Sequence, residues 1–346
     1  MNENSTLPST DPAEAAAWVE FYYQQGWSDG LPLVPPTEES VRAMLEAGQV
    51  KAEESLGTIA ERNVTIPAEK VAINAVMAGC LPEYFPVVLA AVRGLCRPEF
   101  HYHNPATSTG GSALTLIVNG PIGPTLGINA THNAFGPGFR PNATIGRALR
   151  LVMLNVLNTR PGLLDKATLG SPGKYAFCFA ENEENHPWQP LHVERGFRSG
   201  DSTVTLYASN TLMGVYNQLA STPEPLLLEF ADAVCNLASP NVYGFNQSLL
   251  VLAGEHAEIV KHSGWSRRQV QEGVIQQARR SVADFKRAGR LPGEIRPEDE
   301  TTWRYVMRDP DDVLIVCAGA QGGSWSACLP GWGNKWTRSV TELVRV

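Results

Sequence analysis

Apolar residues return at helical spacing through PAEAAAWVEFYYQQ (12–25), which predicts a helix closed by Gly26. WSDGLPLVPPTEE follows as an irregular connector of Asp29-Gly30 and three prolines. Thr37 is placed to cap a second helix whose first turn carries Glu38 and Glu39, where carboxylates suit the macrodipole. In AEKVAINAVMAG the apolar set Val71, Ala72, Ala75 and Val76 marks a third helix ended by Gly79, and Leu81-Pro82-Glu83 opens a fourth.

After Pro98 the texture becomes rich in Gly, Pro, Asn and Thr around one apolar run, SALTLIVNG, which reads as a buried strand. A strong helix spans 143–158, with Ile145, Ala148, Leu149, Val152 and Val156 on one face. Strands are expected at Lys174–Ala180 and Ser202–Tyr207, then a helix with Pro223 near its start and a strand at Ser248–Leu252. A long helix starts from the capping box Ser266 to Gln269 and runs to about Arg287. The last strand lies in DDVLIVCAG and feeds a Gly-rich loop. Intermingled helices and strands predict an α/β or α+β fold, a layered mixed sheet flanked by helices and rich in loops. SALTLIVNG, SLLVLAG and DVLIVCAG each end in Gly and a loop, a unit that recurs without an alignable repeat. Residues 1–63 read as N-terminal helices and connector, and 64–346 as the α/β body, with two subdomains dividing near 196–202 if it divides.

Composition narrows the function classes. The chain is 43% hydrophobic and 18% charged with a net charge of −7, and its basic residues are scattered, which argues against nucleic acid. No apolar run approaches the roughly 18 residues of a membrane span, and MNENSTLPSTDPAEAAAW lacks a signal-peptide pattern, so a cytoplasmic location is expected. Six cysteines without a CxxC pair indicate buried thiols rather than a disulfide framework. The oligomeric state is left open, with a homo-oligomer among the expectations.

Candidate chemistry falls in five places. In FGPGFRPNATIGRALR glycines precede a helix N-terminus that Asn142 could cap; Arg147, helped by Arg140, is placed either to hold a substrate anion or to pair with a carboxylate of the protein. Cys80 precedes a helix, where a thiol can become nucleophilic, and Glu83 follows three residues later; a buried, inert thiol is the competing reading. His101 and His103 on an extended segment would share a face and could begin a divalent-metal site, with surface histidines as the alternative. The loop around Gly319, Gly322 and Gly323 is not a GxGxxG fingerprint, so no nucleotide cofactor is expected; Trp325, Trp332 and Trp336 line a pocket, an interface or the core. ENEENHPWQPLHVERGF (181–197) is either a solvated loop or a site wall at a strand end, offering Glu181, Glu183, His192 and Glu194 for acid–base work.

DGLPLVPPTEE, AINAVMAGCLPEYFPVV, NATIGRALRL and GSPGKYAFCFAENEENHPWQPLHVERGF together resemble a family of uncharacterised bacterial proteins. Its members accompany small proteins with a selenocysteine- or cysteine-Gly-Ser-Cys motif, the UGSC type. The resemblance runs over most of the chain. It implies roles for Asn74, Gly79, Cys80, Glu83 and Tyr84, for Asn119 and Gly120, for Asn142, Gly146 and Arg147, and for Lys174, Glu181, Asn182, Glu183, Trp188, His192 and Glu194. Among these, Asn119, Lys174 and Asn182 are implied as substrate-binding. Members favour a His before the Ser of the C-terminal Gly-rich motif, whereas Trp325 precedes Ser326 here, so catalysis is not assigned there. The expected function is an enzyme using lyase, hydratase or hydrolase-type acid–base chemistry on a small anionic organic molecule. The alternative is a subunit that partners a UGSC-type thiol or selenol protein.

Overall fold

The structure, a computed structural model, describes residues 11–244, 246–333 and 336–345; the first ten residues of the N-terminal segment lie outside them. In chain order the elements are α1 (Pro12–Gln24), α2 (Glu38–Ala47), β1 (Ser55–Ile59), β2 (Val64–Pro67), α3 (Ala68–Ala78), α4 (Phe85–Leu95), α5 (His103–Thr107), β3 (Ala113–Asn119), α6 (Ile122–Leu126) and α7 (Arg140–Asn155). There follow β4 (Cys178–Ala180), α8 (Leu191–Glu194), β5 (Thr203–Ser209), β6 (Met213–Tyr216), α9 (Pro223–Val234), β7 (Ser248–Leu252), α10 (Gly254–Ser263) and α11 (Arg267–Gln277). The chain closes with β8 (Arg279–Ser281), α12 (Val282–Arg287), β9 (Trp303–Tyr305), β10 (Val313–Cys317), β11 (Trp325–Pro330) and β12 (Val340–Leu343).

Two four-stranded mixed sheets organise the fold, in the orders β12-β5-β3-β4 and β6-β11-β7-β10. Alternation along their strands builds the layers. Leu116 and Val118 of β3 face α3, α4 and α7, whereas Ile117 points the other way and meets Leu249 and Val251 of β7, Leu314 and Val316 of β10 and Leu329 of β11. On the far side, Leu250, Leu252 and Ile315 face α9, α10 and α11. The result is a four-layer α/β/β/α sandwich, as period-2 strands apolar on both faces require. Each fully buried aliphatic chain contributes about 1.5–3 kcal/mol. Tyr207 of β5 crosses between the sheets and donates its hydroxyl to the Leu329 carbonyl at 2.7 Å. In α4 every residue except Arg93 is buried, so it is a core helix.

The two sheets repeat one design. In each a parallel pair (β3 with β4, β7 with β10) is followed by an antiparallel neighbour (β5, β11) and an antiparallel edge (β12, β6). The series α4, β3, α7, β4, β5 recurs in order as α9, β7, α11, β10, β11. The strand after each series crosses to the other sheet: β6 follows β5 but pairs with β11, and β12 follows β11 but pairs with β5. The recurring strand-to-Gly unit read in SALTLIVNG and SLLVLAG is this repeat, with Gly120 and Gly254 at matching ends.

Several boundaries differ from the sequence reading. The helix expected at 143–158 begins at Arg140, with Pro141 in its first turn, where proline is tolerated. The strand expected from Lys174 shrinks to Cys178–Ala180, because Ser171 caps a 3-10 turn over Pro172–Lys174. The helix expected from Ser266 to Arg287 keeps its capping box but breaks after Gln277. Arg279–Ser281 leaves the helix to pair with Trp303–Tyr305, and Ser281 then caps α12 by accepting from the Asp284 N–H. β10 is not the last strand; WSACLP, placed in a Gly-rich loop by its composition, is the interior strand β11. Among the described residues no helix is long and apolar enough to cross a membrane.

Candidate functional site

The C-terminal ends of the parallel strands β3 and β4 bring Asn119, Gly120, Glu181 and Glu183 together, and α8 adds His192. Strand ends at a parallel pair are where layered α/β folds place ligand groups. The Asn119 amide donates to Glu181 Oε2 and, at 2.9 Å, to Glu183 Oε1, while the Gly120 N–H donates to the same Glu183 oxygen at 2.7 Å. Gly120 has φ +82°, and a Cβ there would stand 2.1 Å from the Asp201 carbonyl oxygen, so only glycine lets the turn present that N–H.

Glu181 is wholly buried and heavily bonded. Oε2 also accepts from the Leu191 N–H at 2.9 Å, and the Cys317 N–H of β10 reaches Oε1 at 3.4 Å. His186 places Nε2 2.8 Å from Oε1, close but poorly aligned, and its Nδ1 accepts from the Trp188 N–H at 3.1 Å. Burial alone would raise the Glu181 carboxyl pKa, but His186, Asn119 and the Leu191 N–H outweigh it and hold it below its ordinary value.

Glu183 is different: its side chain is 29% exposed and gives the cluster its opening to solvent. Behind it lies His192, fully buried, with Nδ1 3.8 Å from Glu183 Oε1. Among the described residues neither ring nitrogen of His192 has a hydrogen-bond partner, nor has Asn119 Oδ1. Buried polar atoms without partners are uncommon and point to a ligand or water at the site. The arrangement offers one carboxylate fixed as an anion, a second held by two N–H donors at the surface, and an imidazole behind it.

Of the groups expected from the sequence, Asn119, Glu181, Glu183 and His192 therefore converge, and Asn182 lies beside them, its N–H bonded to the Cys317 carbonyl at 2.7 Å. Trp188 and Glu194 support the same loop: Trp188 Nε1 donates to the Trp265 carbonyl at 2.7 Å, and Arg267 pairs with Glu194 at 2.6 Å and covers the Trp188 ring.

The rest do not join them. Arg147 is bound at two points by Asp29 and also donates to the carbonyls of Leu31 and Pro32, so the salt-bridge reading holds and the guanidinium is not free for a substrate. Arg140 donates to the Gly79 carbonyl. Asn142 caps nothing: it lies inside the first turn of α7 and binds the backbone of Asn129 through both amide atoms, at 2.8 and 3.1 Å. Gly146 serves packing, since a Cβ would come within 2.8 Å of the Phe177 nitrogen. Cys80 is buried and donates to the Thr144 carbonyl; burial pushes the thiol up to about 12, against the small opposing pull of Arg140 and Arg147, so it is not the activated thiol its position suggested. Glu83 is exposed, and no described hydrogen bond or ion pair ties it to the strand-end cluster. Lys174 lies at the other end of β4, bound to Asp165.

The histidine pair is also corrected. His101 sits in a turn with φ +47° and His103 opens α5, so the segment is not extended and the rings do not share a face. His101 lies 3.6 Å from Glu61, and His103 accepts from Arg62, which takes up a lone pair a metal would need. Among the described residues no group of three or more His, Cys, Asp or Glu side chains is arranged to hold a metal ion.

Sequence reasoning missed the approach of His186 to Glu181. It also missed a buried pair at the matching end of β7: the Asn217 carbonyl lies 3.0 Å from His256 Nε2, which puts the ring hydrogen there, so Nδ1 accepts from Ser326 Oγ at 2.7 Å. Ser326 also accepts from the Ala253 N–H. With both side chains buried, this pair fastens the start of α10 to β11; no local motif in the sequence signals it, because the partners stand 70 residues apart.

No family model matches the chain, and no curated protein matches it.

Proposed function

We propose that this protein is an enzyme that acts on a small organic molecule by acid–base chemistry of the lyase, hydratase or hydrolase kind, at the ends of β3 and β4. Glu183 is the group that meets the substrate, and His192 is its buried proton partner. The observation that carries this reading is the orphaned His192 ring, 3.8 Å from a solvent-reaching carboxylate that Gly120 and Asn119 hold in place. The N–H donors hold the carboxylate in one orientation towards solvent, and a neighbouring imidazole can relay a proton. The anionic character expected of the substrate loses its support from Arg147, which Asp29 occupies.

The test is a screen of hydroxy acids, unsaturated acids and simple esters for turnover, followed by Glu183→Gln and His192→Phe on whichever compound reacts. Loss of about 100-fold or more in kcat for Glu183→Gln is expected. Full turnover by that variant, or no turnover of any compound, rejects the assignment.

The second reading, a subunit that docks a thiol or selenol protein of the UGSC type, is supported by the C-terminal aromatic surface. Trp325 is 61% exposed and stacks on the exposed Tyr216 at 4.5 Å, while Trp336 is exposed as well. Stable co-purification with such a partner, weakened by Trp325→Ala, is its test.

A further inference from the structure

At the N-terminal ends of β3 and β4, away from the Glu183 cluster, the connector after α1, the second half of α7 and the 161–175 loop enclose an open cleft of about 680 Å³. Its floor carries Arg150, Asp165 and Lys174, side chains only 12%, 8% and 18% exposed. Lys174 Nζ bonds both Asp165 oxygens at 2.8 Å, so the carboxylate is satisfied by the lysine. Arg150 comes no closer to it than 3.7 Å, beyond hydrogen-bond length, and no described residue accepts a hydrogen bond from its guanidinium. Two cations therefore share Asp165, and the cleft's other carboxylate, Asp29, is paired with Arg147, which leaves one net positive charge on a largely desolvated floor.

The same three side chains also border a second recess, of about 20 Å³ and room for little more than a water-sized group, whose lining includes Ser112 and Thr159. Ser112 is buried and its hydroxyl has no partner among the described residues. The rest of the lining is of another character, with Tyr23, Leu169 and Tyr175 exposed and Leu154 buried.

The geometry points to a binding site for a small organic carboxylate. Its head takes two parallel N–H bonds from Arg150, the fork geometry that suits a planar carboxylate. The single net charge of the floor matches a monoanion, and the Ser112 hydroxyl completes the head group's contacts. Its apolar body lies against Tyr23, Leu154 and Tyr175. A phosphate head would bring about twice the charge to a floor that balances one. This inference is independent of the acid–base reading at Glu183, because it concerns binding and uses none of those residues.

Isothermal titration of the full chain with phenylacetate and, separately, with inorganic phosphate is the test. Phenylacetate is expected to bind more tightly than phosphate. Arg150→Met, which leaves the Lys174–Asp165 pair in place, is expected to weaken phenylacetate binding about tenfold or more, the scale of a lost charge-assisted hydrogen bond. Ser112→Ala is expected to weaken it by a smaller factor, and thermal unfolding of both variants verifies that they are folded. Absence of phenylacetate binding, equal binding by folded Arg150→Met, or a preference for phosphate overturns the assignment. Loss of turnover in Glu183→Gln with phenylacetate binding intact separates the two proposals.

Discussion

Arg147 and Asp29 meet at two points, Nε to Oδ2 at 2.9 Å and Nη2 to Oδ1 at 2.8 Å, and so join the middle of α7 to the connector after α1. The same guanidinium nitrogen donates to the Pro32 carbonyl at 2.9 Å, so this cation serves as the clamp for an irregular segment.

Breaking that clamp leaves a carboxylate only 5% exposed without its cation. Arg147→Ala is expected to lower unfolding stability by about 3 kcal/mol or more, as for other largely buried pairs that lose one member. Urea unfolding measures it. A loss under about 1 kcal/mol would mean that water replaces the arginine.

The Glu181 carboxyl ties stability to acid. Its folded pKa lies below the ordinary 4.5, so the unfolded chain binds the proton first as pH falls. The stability it contributes is complete above that ordinary value and is lost as pH drops towards the depressed one. His186→Phe removes the contact at 2.8 Å and leaves burial as the dominant influence, which raises the carboxyl. The acid unfolding midpoint of that variant is expected at higher pH than that of the unaltered protein, by urea unfolding at stepped pH. Coincident acid limbs would remove His186 from the account.

Legibility followed the range of the interactions. Two caps were readable because their partners stand three residues apart: Thr37 caps α2 and the Ser266 capping box forms as its spacing demands, whereas Asn142 falls inside the first turn of α7. Apolar strands such as SALTLIVNG were readable by composition. The break after Gln277 was not, since it depends on Trp303–Tyr305, some two dozen residues away in the chain. β11 was hidden because its neighbours are supplied by β7 and β6, far back in sequence, while Gly and Trp around it read as loop. The site divides the same way. The 181–194 segment announced itself by charge density at a strand end, but the fate of Arg147 turned on Asp29, 118 residues earlier, and Arg150 gave no sign until the 161–175 loop folded over it.

The thiols make a third test. Burial pushes Cys80 up to about 12 and half-buried Cys96 to about 11, and every other cysteine is buried and raised as well. The thiolate is the reactive form, so none of the six is expected to react quickly with an aromatic disulfide reagent at pH 7–8 in the native protein, and all six after unfolding. One stoichiometric fast thiol, mapped to Cys80 by mass spectrometry, would reinstate it as a nucleophile.

Gly120 links the backbone to the proposed chemistry. A side chain there meets the Asp201 carbonyl oxygen at 2.1 Å and must adopt φ +82°, so Gly120→Ala forces the turn to shift. The strain alone is worth about 1–3 kcal/mol, and the shift withdraws the N–H that holds Glu183 Oε1 at 2.7 Å. Both stability and turnover are then expected to fall, whereas Glu183→Gln, which keeps the turn, is expected to lose turnover with a stability change near 1 kcal/mol or less. Measured side by side by thermal unfolding and initial rates, the pair separates positioning from proton transfer. Gly120→Ala with native stability and full turnover would show that the turn yields freely and that the Gly120 N–H does not position Glu183.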